Sequence, residues 1–372
     1  MSKGIIIHLD NDSGLLKTST KLFQQKTEIS ADFEYITCTT EEEFKKAIEL
    51  NNRMLKCLIF DLVGHDAGKK ELQEGDAEFL KYVDESFAAY NTPIFIYSGY
   101  LDVITEKFKN CGTVFKVDKD EEHALNKIFS KIKLFHESGF LDVFCPGGDL
   151  EEQIRLDLNK AFAEQFKSGE IESIIESFTG GDQSHRKERC SEIFKRISVR
   201  ALMSKLLSPV VANASEVNAI EHYYRQISEV EFWTGDIIKK KEAEEYKIIL
   251  TPRCDCREAS NFLACSIELE FPGDNKKDKI KKALTDNIND KKFRYLPPTP
   301  IFKGGKVDYS LYSTISRDDL HSVYDVWITL SDELTNAVLA KFGSYFLRTG
   351  ISTTDIPALE AYLDSLNETS TN

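Results

Sequence analysis

The chain has 372 residues, more than one hydrophobic core usually supports, so two or three domains are expected. A hydrophobic share of 41% is that of a folded protein, and a formal net charge of -14 disfavours one dominated by binding to nucleic-acid phosphate or membrane surfaces. No apolar run reaches the roughly 20 residues of a membrane span, the first residues carry no basic-then-apolar signal, and the eight cysteines are irregularly spaced, so a cytoplasmic chain with reduced thiols is expected.

Residues 1 to about 140 alternate short apolar runs with longer amphipathic ones. "GIIIHL" (4–9), "FEYITC" (33–38), "KCLIFDL" (56–62), "TPIFIYSG" (92–99) and "TVFKV" (113–117) read as strands, the first apolar enough to be buried on both faces. Between and after them, "LLKTSTKLFQQK" (15–26), "TTEEEFKKAIEL" (39–50), "DAEFLKYVDESFAAY" (76–90), "LDVITEKFKNCG" (101–112) and "EEHALNKIFSKIKLFHES" (121–138) have helical spacing. The second helix opens with a cap and acids in its first turn. Alternation of this kind predicts an α/β domain, a flavodoxin-like doubly wound five-stranded parallel sheet over residues 1–140.

Residues 150–230 have almost no strand signal and read as a helical connector or oligomerisation segment, with helices over 150–178, 185–210 and 214–233. From 231 to 350 the period shortens again. "TGDIIKK" (234–240), "YKIILTP" (246–252), "FLACSIELEF" (262–271), "FRYLPP" (293–298), "VDYSLYST" (307–314) and "DVWITL" (325–330) predict a mostly antiparallel β domain, a small barrel in outline, closed by a helix over 331–350. Residues 351–372 read as a C-terminal tail ending in a frayed "LNETSTN".

In a parallel sheet the C-terminal strand ends are neighbours, and ligands gather there. The first strand ends at Asp10-Asn11-Asp12, the third at Asp61, the fourth at Ser98-Gly99, the fifth near Lys116 or Lys119. Clustered carboxylates can hold a hard cation such as Mg²⁺, which offsets repulsion between a phosphoryl group and an attacking carboxylate. A serine hydroxyl and a lysine then supply a hydrogen bond and positive charge.

This arrangement over residues 1–138 resembles the receiver (CheY-like) domain of two-component response regulators. The resemblance implies that Asp61 is the phospho-acceptor, Ser98 the switch hydroxyl and Asp10, Asp12 and Asp61 the Mg²⁺ ligands. It also implies a histidine kinase or phosphotransfer protein as partner, and a shift near Ser98 involving Tyr97 or Tyr100. The family's lysine lies seven residues after the glycine closing the fourth helix, which points from Gly112 to Lys119, with Lys116 the alternative. Asn11 stands where the family's second acid is habitual, "LVGHDAGKKELQEGD" lacks the common Met-Pro after the acceptor, and Asp120 follows the lysine in place of proline. A pseudo-receiver, keeping the fold as an interaction module without phosphotransfer, therefore stays open.

The C-terminal half has no helix-turn-helix pattern. Its basic cluster, Lys276, Lys277, Lys279, Lys281, Lys282, Lys291, Lys292 and Arg294, is interrupted by Asp278, Asp286 and Asp290, and reads as a solvated helical face. Cys254, Cys256 and Cys265 could supply three thiolates, with His222 or His321 as a fourth ligand, but the spacing is not that of a zinc knuckle and reduced thiols are expected. "TGDIIKKKEAEEYKIILTPRCD", with Gly235, Asp236 and Pro252, weakly resembles the small-barrel MazF/PemK toxins, which would imply RNA cleavage near Arg253. The expectation is thus a signalling protein with a non-DNA-binding β output, not a conventional enzyme beyond self-phosphorylation. Alternatives are a receiver-regulated nuclease and a pseudo-receiver. A homodimer through the amphipathic helices of 150–210 is a further candidate.

Overall fold

The computed structural model describes residues 3–62, 80–164, 166–177, 183–207, 218–227, 230–269, 276–285, 292–347 and 355–369. The chain divides into two compact units, Met1–Ser208 and Pro209–Asn372.

The first unit contains five strands: β1 (Gly4–Leu9), β2 (Phe33–Cys38), β3 (Leu55–Phe60), β4 (Ile94–Ser98) and β5 (Val114–Asp118). They pair in parallel in the order β2-β1-β3-β4-β5, the flavodoxin-like order. Side-chain alternation divides β1 between two cores. Ile5, Ile7 and Leu9 join Phe44, Ile48 and Phe60 on one face, while Ile6 joins Phe23, Ile59 and Phe129 on the other. Fully burying each such side chain contributes about 1.5–3 kcal/mol.

The helices are α1 (Ser13–Gln25), α2 (Thr27–Ser30), α3 (Glu41–Asn51), α4 (Leu80–Ala89), α5 (Glu106–Lys109), α6 (Ala124–Glu137), α7 (Phe140–Phe144), α8 (Asp149–Glu164), α9 (Glu170–Ser177) and α10 (Gln183–Leu206). Thr40 caps α3 by accepting the Glu43 N–H, as its acidic opening suggested. The expected helix over 101–112 is instead a 3-10 turn, Leu101–Val103, and the short α5. Ile104, fully buried with extended backbone between them, breaks the helix to fill the core. The expected helix over 76–90 is described from Leu80 on, and "VGHDAG" (63–68) lies outside the described residues.

The second unit holds β6 (Tyr223–Tyr224), β7 (Asp236–Lys240), β8 (Tyr246–Ile249), β9 (Asn261–Glu268), β10 (Phe293–Leu296), β11 (Gly305–Ser316) and β12 (Tyr324–Leu330). They form one antiparallel sheet in the order β10-β11-β9-β8-β7-β12-β6. Its helices are α11 (Arg253–Cys256), α12 (Lys276–Thr285), α13 (Arg317–Val323), α14 (Asp332–Phe346) and α15 (Ile356–Thr369). Leu334 and Val338 of α14 join one core face, and Leu320 of α13 joins the other.

The β-rich reading of this half holds, with three corrections. The edge strands β6 and β10 do not pair with each other, so the described strands form an open sheet; a hydrogen bond from the Tyr223 hydroxyl to the Pro297 carbonyl (2.7 Å) spans the gap. Where a helix is expected over 214–233, the described residues form a capped 3-10 turn, Ala219–His222, followed by β6, because Tyr223 is buried against Phe302 in the sheet core. Within the expected tail, the described residues Ile356–Thr369 are helical.

Candidate functional site

Three strand ends and the loop after β5 converge at the C-terminal edge of the parallel sheet. The backbone fixes them first. The Asp10 N–H donates to the Cys38 carbonyl (3.1 Å) and the Asp61 N–H to the Leu9 carbonyl (2.9 Å), so both acids continue their strands' ladders. The Lys119 N–H reaches the Ser98 carbonyl at 3.4 Å, tying the lysine to the end of β4.

The side chains then close around Lys119. Its ammonium donates to Asp10 Oδ2 (2.8 Å) and Asp61 Oδ2 (2.9 Å). Asp10 is fully buried and Asp61 nearly so. The other oxygens are held locally: Asp10 Oδ1 accepts the Asp12 N–H and Asp61 Oδ1 accepts the Leu62 N–H, each at 2.8 Å. Burial works to lower the Lys119 pKa, but Asp61 and then Asp10 outweigh it, and the net shift is upward. The ammonium also lies 5.4 Å from the centre of the Tyr97 ring. Ser98 is fully buried, with its hydroxyl oxygen accepting the Tyr100 N–H at 3.3 Å.

Lys116 points elsewhere, its ammonium capping the Phe108 and Lys109 carbonyls at the end of α5. Lys119 is therefore the lysine at the carboxylates. Asp12 adjoins the site, but its Oδ1 caps α1 by accepting the Gly14 (2.8 Å) and Leu15 (3.1 Å) N–H groups. Among the described residues no three His, Cys, Asp or Glu side chains are set to hold a metal together. Asp10 and Asp61 still supply two hard oxygen donors, which fits Mg²⁺, an ion commonly bound by one or two carboxylates with its waters retained.

A second polar layer lies beneath, and it was missed in the sequence. His8 is fully buried inside β1, its Nδ1 hydrogen-bonded to the Tyr35 hydroxyl. Tyr35 donates to Ser19 Oγ (3.2 Å), and Ser19 donates to the Leu16 carbonyl (2.9 Å). With each hydroxyl proton assigned, the proton on His8 sits on Nδ1, leaving Nε2 bare and 3.9 Å from Asp10 Oδ2. Burial first, and then the charge of Lys119, pushes the His8 pKa down to about 3, so the ring is neutral at physiological pH. The available signal was one polar residue inside an otherwise apolar strand.

The candidates in the second unit do not converge. Cys256 and Cys265 are buried in opposite core faces, Cys254 is exposed, and His321 pairs with Glu231 at 3.1 Å. The Arg253 guanidinium pairs with Asp332 and lies over Trp233. Lys277, Lys279, Lys281 and Lys282 are exposed on α12, as a solvated face requires, and Lys292 pairs with Asp308 at 3.5 Å. Lys291, Asp286 and Asp290 lie outside the described residues. Among those that are described, no helix is long and apolar enough to cross a membrane.

No known protein-family model matches the chain, and no curated protein matches it. Among solved structures it is similar to the receiver domain from the hybrid histidine kinase CckA, at 14% identity and a TM-score of 0.25, over 35% of this chain and 97% of that one.

Proposed function

We propose that this chain is a two-component, or phosphorelay, signalling protein in which Asp61 accepts a phosphoryl group and so controls a C-terminal output that does not read DNA. The observation that carries the reading is one lysine bridging two buried carboxylates, Asp10 and Asp61, at the C-terminal edge of a doubly wound sheet. A lone acid ending a strand needs no such partner.

The phosphoryl donor is the phosphohistidine of a histidine kinase or phosphotransfer protein. An Asp61 oxygen attacks phosphorus, the P–N bond breaks as the P–O bond forms, and the imidazole leaves with the electron pair and takes up a proton. Lys119 supplies positive charge against the incoming phosphoryl oxygens, and Ser98 donates its hydroxyl proton to one of them. Asp10 and Asp61 would hold Mg²⁺, with Asp12 adjoining. When bound, the ion offsets repulsion between phosphate and carboxylate. The new charge then biases a two-state surface near Ser98 and Tyr97.

The test is a phosphoryl adduct formed from a small phosphodonor with Mg²⁺ and abolished by Asp61→Asn. Failure to label would favour the pseudo-receiver. The nuclease alternative gains nothing from Arg253, whose charge is already paired with Asp332.

A further inference from the structure

Residues on both sides of the gap between the edge strands β6 and β10 line a cavity of about 430 Å³. Among them are His222 before β6, Arg294 of β10, Leu284 of α12, and Glu333, Leu334 and Ala337 of α14. The volume is within the ordinary range of a small-molecule site.

Arg294 is out of place on this wall. It pairs across the ladder with Val307, and Val307 and Leu296 are fully buried in the core that Leu334 and Val338 of α14 complete. Directly opposed residues share a face of the sheet, as do residues two apart, so Arg294 stands on the core side of its strand. The residue is partly buried, its Nε is wholly buried with no hydrogen-bond partner, and among the described residues no carboxylate pairs with its guanidinium. Other cations on the same two strands or beside them fare differently: Lys292 pairs with Asp308, and Lys306 with Glu268. A partly desolvated cation without a counter-charge is costly. An inward charge can guard an edge strand against pairing with another chain, but that duty needs no cavity beside it.

The surroundings specify the anion. A guanidinium fork matches a carboxylate or a phosphate. Glu333 on the same cavity and the net charge of -14 weigh against a multiply charged phosphate. Leu284, Leu334 and Ala337 supply an apolar wall, and the space far exceeds what a bare carboxylate group fills.

We propose that this cavity binds a small organic monocarboxylate, its carboxylate paired with Arg294 and an apolar, ring-sized body against Leu334 and Ala337. The site lies in the second unit and does not rest on phosphorylation of Asp61.

The test is isothermal titration calorimetry of the full chain with benzoate, phenylacetate and naphthoate, and with their amides as uncharged counterparts. One acid per chain is expected for at least one of the three, with its amide about tenfold weaker or worse. Arg294→Gln should weaken the acid to the same degree. Ala337→Phe, which fills the cavity and leaves the charge in place, should abolish binding. Tryptophan-monitored unfolding checks both folds, and without ligand Arg294→Gln should be no less stable than wild type, because it removes an unpaired charge. The proposal is overturned if none of the acids binds, if an amide binds as tightly as its acid, or if binding survives both substitutions. Displacement of the acid by inorganic phosphate at equal concentration, or clear destabilisation by Arg294→Gln, would overturn it as well.

Discussion

Lys119 Nζ lies 2.9 Å from Asp61 Oδ2, joining residues 58 positions apart in the chain, and the same ammonium holds the fully buried Asp10. Removing it leaves two desolvated carboxylates facing each other. Lys119→Met should therefore destabilise the N-terminal unit by about 3 kcal/mol near neutral pH, read from urea unfolding by circular dichroism. The pair raises the lysine's folded pKa above its ordinary value of 10.5. Its stabilisation is thus complete below about 10.5 and lost as pH climbs through the folded value, so the gap between variant and wild type should narrow in strong alkali.

His8 gives a second pH signature, of opposite position. Its folded pKa, about 3, lies below the unfolded 6.5, so between these values the unfolded chain binds a proton that the folded chain refuses. Stability therefore falls as pH drops from 6.5 towards 3, by on the order of 1.4 kcal/mol per unit. His8→Leu should flatten this part of the acid limb, compared with wild type at matched pH, leaving the part due to carboxylates.

Both tryptophans, Trp233 and Trp327, lie in the second unit, so their fluorescence follows that unit alone. Burial raises Asp236 to about 6 against the partial opposition of the Thr329 hydroxyl and the Trp233 N–H. Above pH 3.8 the unfolded chain releases a proton that the folded chain keeps, so stability declines with rising pH until about 6. Asp236→Asn should remove that slope in tryptophan-monitored unfolding, whatever it does to absolute stability.

Gly235 adopts φ +91°, and an added Cβ would meet Thr335 Oγ1 at 2.4 Å. Gly235→Ala combines backbone strain with this clash, and should lower the stability of the second unit by about 2 kcal/mol or more. An unchanged tryptophan transition would show that the turn before β7 relaxes freely.

The parallel sheet was legible because its inner strands β1, β3 and β4 are apolar and buried along nearly their whole length, and the site's address because charged residues follow the ends of β1, β3 and β5. What failed to read had physical causes. Asp12 has the residue type of both a cation ligand and a helix cap, and only geometry shows it capping α1. "HYYRQIS" looks helical until Tyr223 is placed in the sheet core, where burial overrides local periodicity. "LDVITEKFKNCG" has helical spacing, yet Ile104 leaves the helix to reach the core. His8 reads as one more strand residue because its partner Tyr35, and Ser19 to which Tyr35 donates, lie 27 and 11 positions away.

The most direct measurement is intact-protein mass spectrometry after incubation with a small phosphodonor, with and without Mg²⁺. One added phosphoryl group is expected in wild type, dependent on Mg²⁺ and absent in Asp61→Asn. A wild-type chain that stays unlabelled while an ordinary receiver labels in the same tube, or a label that survives Asp61→Asn, would mean that the Lys119-bound carboxylates serve the fold and not phosphoryl transfer.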